Sequence, residues 1–368
     1  MRFSGQLEGA AMICPHCGTD ARLRDRGNGL CPSCKRAFAL EPRENKLRLH
    51  DVRMRKLIEK LGDGEGLRYT PTQLYYAAAR NRTNPEPGLY GCLAFGAVLL
   101  AAAVSWVIIA LSEFNPGVIW VTLSAAAVFV VLAIVRSIRA ARRSLWTGTV
   151  EVPMPFDDFK TSVIDRWTTV YGTPPAGLAP EGRQLYPLVP DGAPPKLVLL
   201  CPDPTVLACA VLNGAHEKHS LALAQTVDQL GRIPSDPNAP GGAGPVGIVL
   251  HDASPAGLAF ASAARAALGD RVVVAGMLPR TVKDNPHAVR LRKPLDDGDP
   301  DIIAANLSRL TEAEADWLSR GWWSPVASVT PAKLLTVLAR AVDRAEGIAD
   351  PDRGRAQQVG FLTWPSAS

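Results

Sequence analysis

Apolar positions fall into three patterns along this chain, and each predicts a different kind of element. Two long runs of 23 and 19 residues, Leu89–Leu111 and Gly117–Val135, contain no Asp, Glu, Lys or Arg. At 1.5 Å per helical residue they span about 34 and 28 Å, enough for a hydrocarbon core of roughly 30 Å. Ordinary core helices carry a polar face, which these runs lack. Only Ser112–Pro116 separates them, so the pattern predicts a tight two-helix transmembrane hairpin.

The second pattern is helical and amphipathic. Met54, Leu57, Ile58 and Leu61 fall at i, i+3, i+4 and i+7 beside Arg53, Arg55, Lys56 and Lys60, predicting a basic amphipathic helix. Its apolar stripe suits the ribbon, the following helix or a cytoplasmic leaflet. After Gly62-Asp-Gly-Glu-Gly66, the segment Thr70-Pro-Thr-Gln73 has the N-cap threonine, first-turn proline and third-position Gln of a capping box, so a second helix starts there.

The third pattern begins after Thr147, where short apolar runs alternate with helical stretches. Lys196–Cys201, Val246–His251 and Arg271–Ala275 read as strands, and Ser220–Leu230 as a strand-to-helix or helical segment. Helices are predicted at Phe156–Tyr171, Thr205–Asn213, Pro255–Leu268, Asp299–Leu310, Glu312–Arg320 and Pro331–Glu346. Strands of five or six apolar residues separated by helices predict a parallel sheet covered on both faces. Trp317, Trp322 and Trp323 fit core packing of the C-terminal segment better than an exposed partner-binding spot.

Charge orients the hairpin. Arg80 and Arg82 precede it, Arg136, Arg139, Arg142 and Arg143 follow it, and Glu113 alone sits in its loop. Lys and Arg near helix ends stay cytoplasmic, so both termini are expected in the cytoplasm and the protein in the membrane as a two-span chain. The net charge of +5 is concentrated early, with 16 Lys and Arg against 10 Asp and Glu in residues 1–86. That suits a headgroup-facing segment and does not by itself point to nucleic acid. No charged n-region with a cleavage site precedes the first run, so it is no secretory signal peptide.

Four of the seven cysteines stand as Cys14-Pro-His-Cys17-Gly and Cys31-Pro-Ser-Cys34-Lys, with 13 residues between the pairs. A C-x₂-C pair lets one tight turn grip a tetrahedral metal with two thiolates, and a second pair closes the site. The pairs resemble the knuckles of zinc-ribbon proteins. A reducing compartment disfavours disulfides, and four thiolates leave no open position for water, so a structural zinc is expected. His16 reads as a bystander. Arg36–Leu40 and Lys46–His50 alternate apolar and polar residues, as ribbon strands do. Met12-Ile13-Cys14 reads as a natural start, with the first eleven residues a tail or a product of a start at Met1.

Thr70-Pro-Thr-Gln-Leu-Tyr-Tyr-Ala-Ala-Ala-Arg80 resembles the tyrosine-bearing helix of the topoisomerase VI A subunit family, although the usual arginine is missing around Thr72 and Gln73. That resemblance implies a vestigial DNA-cleaving tyrosine at Tyr75 or Tyr76; as residues alone, they are ordinary core or interface aromatics. Ligands of parallel sheets collect at the carboxyl ends of strands. Asp203 and Asp252 stand there, the latter in Leu250-His-Asp-Ala-Ser-Pro-Ala-Gly257, and with Ser254 they resemble a TOPRIM domain that has lost its acids. Cys201 takes the approximate place of the TOPRIM glutamate, and Ser254 that of the second aspartate. The resemblance implies an incomplete Mg²⁺ site, and the plain alternative is Asp252 capping the Pro255 helix with Ser254. Gly241-Gly-Ala-Gly244 is a loop and no P-loop, and neither the His216/His219 pair nor Cys201 and Cys209 has the partners of a site.

These readings predict a multidomain chain: zinc ribbon with a short tail (1–50), basic helical connector (51–86), transmembrane hairpin (87–143), cytoplasmic Rossmann- or TOPRIM-like α/β domain (144–350) and C-terminal tail (351–368). The expected function is that of a non-enzymatic, membrane-anchored adaptor or scaffold. Its partners are the bilayer, through Leu89–Leu111 and Gly117–Val135, and a cytoplasmic protein; a homo-oligomer is compatible with the small residues of the hairpin. The alternatives are a membrane-attached nucleic-acid-processing enzyme of TOPRIM/topoisomerase type, with nucleic acid the less favoured partner, and a small-ligand sensor. A third acid converging on Asp203 and Asp252 separates the enzyme from the adaptor.

Overall fold

Leu197, Leu199 and Cys201 face one way and Val198 and Leu200 the other, and both sides of this strand are buried. Such two-sided apolar runs are stable only inside a covered parallel sheet, where each large side chain contributes about 1.5–3 kcal/mol by leaving water. A computed structural model of the chain describes residues 12–21, 25, 29–80, 120, 124, 128, 132, 135, 149–179, 186–192, 194–235 and 244–350. It divides into two compact units, one of residues 1–83, 152–291 and 295–368, the other of residues 84–151 and 292–294.

The larger unit holds the four-stranded parallel sheet, built from β3 (Leu197–Leu200), β4 (Leu221–Ala224), β5 (Val246–Val249) and β6 (Val272–Val274) in the order β4-β3-β5-β6. Register is set by Leu197 opposite both Leu221 and Val246, and by Gly247 opposite Val272. The chain leaves β3 toward β4 and then returns to its other side as β5, so the winding reverses between β3 and β5. That reversal opens a crevice at the strand ends. One face is covered by α5 (Pro204–Leu212) and the C-terminal helix, the other by α6 (Pro255–Leu268). Beyond α6 come α7 (Asp299–Ala305), α8 (Glu312–Ser319) and α9 (Pro331–Ala349). Trp317 and Leu318 on α8 are buried with Val282 and Ile303, as core packing requires.

The same unit carries the cysteine-bearing N-terminal segment. Its β1 (Met12–Ile13) and β2 (Asp20–Ala21) pair antiparallel, and Leu30 bridges Ala37. Helices α1 (Asp51–Gly62) and α2 (Pro71–Ala79) follow. Later a helical stretch runs from α3 (Phe156–Phe159) through a π-helical segment, Lys160–Asp165, into α4 (Arg166–Tyr171). Leu40, Leu47, Leu49, Met54, Leu61, Leu74, Tyr75, Phe159 and Trp167 form one buried cluster, so the N-terminal segment shares a core with α1–α4.

Several expectations are corrected. The transmembrane hairpin is unsupported: among the described residues, no helix is long and apolar enough to cross a membrane. The longest described helix, α9, has 19 residues but carries Lys333, Arg340, Asp343, Arg344 and Glu346. The runs Leu89–Leu111 and Gly117–Val135 lie outside the described residues, apart from Trp120, Ser124, Val128, Leu132 and Val135, which are helical. The two-span membrane placement and the cytoplasmic assignment of both termini, which followed from the hairpin, fall with it. Trp120, Val128 and Leu132 are exposed, and an apolar run does not by itself say what covers it.

Lys46–His50 is not a strand. Leu47 and Leu49 are buried as the alternation predicts, but Leu47 N–H donates to Asn45 Oδ1 (2.8 Å) and Arg48 has φ +48°. Side chains satisfy this backbone instead of a partner strand. Ser220–Leu230 resolves into β4 followed by a 3₁₀ turn, Val227–Arg232.

Candidate metal centre and strand-end site

The two cysteine pairs meet. Cys14, Cys17, Cys31 and Cys34 place their sulfurs within 4.8 Å of one another, with Cys14–Cys34 at 3.8 Å and Cys17–Cys31 at 3.6 Å. A tetrahedron of thiolates with metal–sulfur bonds of about 2.3 Å has edges of about 3.8 Å, which these two pairs match. Each pair sits on a matching turn. Gly18 N–H donates to the Cys14 carbonyl and Lys35 N–H to the Cys31 carbonyl, both at 3.0 Å. Gly18 and Lys35 both have positive φ, +71° and +59°, a conformation that costs glycine nothing and lysine about 1–2 kcal/mol. Burial pushes the Cys14 thiol up to about 11, whereas hydrogen bonds with Thr19 bring Cys17 down to about 6.

His16 is no ligand. Its Nδ1 lies 3.2 Å from Arg36 Nη1 and its ring packs 5.8 Å from that of Tyr171. Burial, followed by the charges of Arg36 and Arg55, holds its pKa below the usual value.

The strand-end acids occupy the β3/β5 reversal. Asp203 follows β3 and caps α5, its Oδ1 accepting from Thr205 N–H at 2.8 Å. Asp252 follows β5, and its Oδ1 accepts from Val326 N–H at 2.7 Å. Ser254 caps α6 by itself, accepting from Gly257 N–H at 3.0 Å, so Asp252 does not share that role.

Tyr75 and Tyr76 separate in role. Tyr75 is buried against Phe156 and Phe159, and its hydroxyl donates to the Met154 carbonyl at 2.6 Å. Tyr76 is only partly buried, and burial first, then the charges of Asp203, Tyr75 and Asp252, push its phenol well above the usual range. Helix α2 is seated by Gln73 Nε2 and Arg80 Nη2, which donate to the carbonyls of Val329 (3.5 Å) and Ser328 (3.2 Å). The sequence named the tyrosines and the acids separately; the fold links the tyrosine helix to Asp252 through the Val326–Val329 turn, which bonds both. Among the described residues, the cysteine set is the one group of three or more His, Cys, Asp or Glu with metal-holding geometry, so no third acid joins the pair.

Three participants escaped sequence reading. Asp51, fully buried at the start of α1, accepts from Ala39 N–H (3.0 Å), Leu40 N–H (2.8 Å) and Tyr171 O–H (2.5 Å). In sequence it is an ordinary first-turn acid. His251 is buried beside Asp252, its Nδ1 donating to the Asp252 carbonyl at 2.7 Å, and burial holds its pKa below the usual value. Gly276 makes room for that ring. No known protein family, characterised protein or solved structure matches the chain, so the likeness to TOPRIM and topoisomerase VI A proteins has no support from that side.

Asp252 gives a pH signature. Burial pushes its carboxyl from 3.8 up to about 6; the Val326 N–H opposes that rise and the Asp203 charge adds to it. The folded state therefore holds this proton more tightly than the unfolded chain. Its stabilising contribution is complete below about pH 4 and is lost as pH rises through about 6. Asp252→Asn, neutral throughout, is expected to match the wild type near pH 4 and to exceed it at pH 8 by about 2–3 kcal/mol. Chemical denaturation at the two pH values checks this, and equal stability at pH 8 refutes it.

Proposed function

We propose that the protein is a non-enzymatic binding protein: a structural zinc ribbon built onto an α/β scaffold that docks a protein partner. The observation that carries this reading is the state of the strand-end crevice. Both of its acids accept from backbone N–H groups, and the turn whose Val326 N–H holds Asp252 is itself bonded to the chain's own helix α2 through Gln73 and Arg80. A hard divalent ion takes six or more oxygen ligands and usually several carboxylates, which two capped aspartates do not supply. The sulfur spacing supports zinc as the ribbon's ion, since four thiolates at tetrahedral distances favour it over harder metals.

A second reading, a nucleic-acid-processing enzyme, draws on one observation: the helix that bears Tyr76 is bonded to the turn that holds Asp252. The two readings part in one experiment. The purified full-length chain is incubated with supercoiled DNA and Mg²⁺ or Mn²⁺, then denatured and probed for protein–DNA adducts. The binding-protein reading expects no adduct and no cleavage, with Tyr76→Phe and Asp252→Asn folding normally. Covalent adducts that vanish in Tyr76→Phe establish the enzyme.

A further inference from the structure

The ribbon is linked to helix α2 through a series of polar contacts, buried where Ala39 and Leu40 meet Asp51 and part-buried at Arg53. Downstream of Cys31 the segment is held to its knuckle by Cys31 N–H on the Arg36 carbonyl and Phe38 N–H on the Gly29 carbonyl, both 2.9 Å. The next two residues, Ala39 and Leu40, give their N–H groups to the Asp51 carboxylate, whose remaining described partner is the Tyr171 hydroxyl. Arg166 Nε closes the same segment by donating to the Ala39 carbonyl at 2.7 Å. The first knuckle is tied down too: Arg55 lies 5.4 Å over the Tyr171 ring and reaches the Pro15 carbonyl. Arg53 then bridges the Leu47 carbonyl and the Ala78 carbonyl in the last turn of α2, both at 3.2 Å.

We propose that the ribbon and its metal form a clamp on helix α2: metal occupancy keeps α2 seated on the Ser328–Val329 turn, to which Gln73 and Arg80 bond it, and metal loss releases it. This rests on the reading that the four cysteines hold zinc. The physical step lies at Asp51. A buried carboxylate tolerates its charge only while donors surround it, and removing them exposes the full desolvation penalty. An ordered knuckle fixes the segment that supplies two of those donors. When the knuckle loses its ion, Ala39 and Leu40 are no longer held, Asp51 must reach water, and α1 shifts away from the core that it shares with α2. Leu40, Leu47 and Leu49 pack in one cluster with Leu74, Tyr75 and Ala78, so apolar and polar coupling act together. The strands of the sheet belong to other clusters and are left in place.

Hydrogen exchange of the full-length chain, read by mass spectrometry before and after zinc removal with a chelator, tests the clamp. Metal content is measured on the same samples. Exchange in Pro71–Ala79 is expected to rise at least about tenfold on zinc removal, while Val246–Val249 changes less than about twofold. Asp51→Asn, which keeps all four cysteines, is expected to retain zinc and still show faster exchange in α2. A chain that neither contains nor takes up zinc defeats the zinc reading and the clamp together. Bound zinc whose removal leaves Pro71–Ala79 unchanged defeats the clamp alone, as does a loss of protection that is uniform across α2 and β5.

Discussion

Cys31→Ser is expected to strip the ribbon of its metal and to unfold residues from about Ile13 to His50. The reason is the size of the core around the sulfurs. Among the described residues it consists of Met12, Phe38, Cys14 and Cys31 with Cys34 packed against them, so little apolar surface remains without a metal. Burying Met12 and Phe38 contributes about 1.5–3 kcal/mol each. Ordering the segment costs about 1.5 kcal/mol per residue, which two side chains cannot offset over a loop of this length. A structural zinc supplies of order 10 kcal/mol, and a serine hydroxyl in place of a fully buried thiolate cannot replace a ligand. Elemental analysis should fall from one zinc per chain to none, and backbone amide signals from the ribbon should collapse. Residues 39–50 should loosen with the knuckles, because Leu40, Leu47 and Leu49 belong to the shared core. A variant that keeps its zinc, or a metal-free ribbon that stays folded, overturns the prediction.

How far such behaviour is legible in the sequence depends on the range over which the signal acts. Local signals transfer well. The Thr70–Gln73 capping box forms with both of its hydrogen bonds, and Pro255–Leu268 is a helix with the bounds that its proline start and glycine stop announce. The cysteine pairs converge because C-x₂-C encodes one turn each and the metal geometry demands two. The apolar runs at Lys196–Cys201 and Val246–His251 become strands because nothing but a covered sheet buries both their faces.

What failed was information held elsewhere in the chain. Alternation at Lys46–His50 placed Leu47 and Leu49 inside, but only the absence of a partner strand makes the segment irregular. The long apolar runs do not by themselves say what covers them. Asp51 gives no local hint that Ala39, Leu40 and Tyr171 surround it. Nor does any spacing announce that α2, far from the sheet in sequence, is bonded to the turn that holds Asp252. Such partners are set by tertiary topology, which no short window contains.

Gly276→Ala is expected to destabilise the larger unit by about 3 kcal/mol, at the upper end of overpacking effects, and to lower its Tm by roughly 6–12 °C. A Cβ at Gly276 falls inside van der Waals contact with Cδ2, Nε2 and Cγ of the His251 ring. The ring has nowhere to go. It is 1% exposed, its Nδ1 is bonded to the Asp252 carbonyl, and the Cβ position of Gly257 stands 2.9 Å from the same nitrogen. The backbone resists as well, since Ala275 N–H donates to Val249 and Met277 N–H to His251, both at 2.9 Å, and these bonds lock the chain after β6 to the end of β5. The strain therefore has to appear at the segment that presents Asp252. His251→Ala removes the obstacle, so the double variant His251→Ala/Gly276→Ala should be less destabilised than the sum of the singles by at least about 1 kcal/mol. Additive losses would show that Gly276 serves some neighbour other than His251. Gly276→Ala should also blunt the stability loss between about pH 4 and pH 6 assigned to Asp252, because a displaced carboxylate meets more water and its proton is no longer held by burial. An unchanged pH profile in a destabilised Gly276→Ala protein would separate the packing of His251 from the position of the acid beside it.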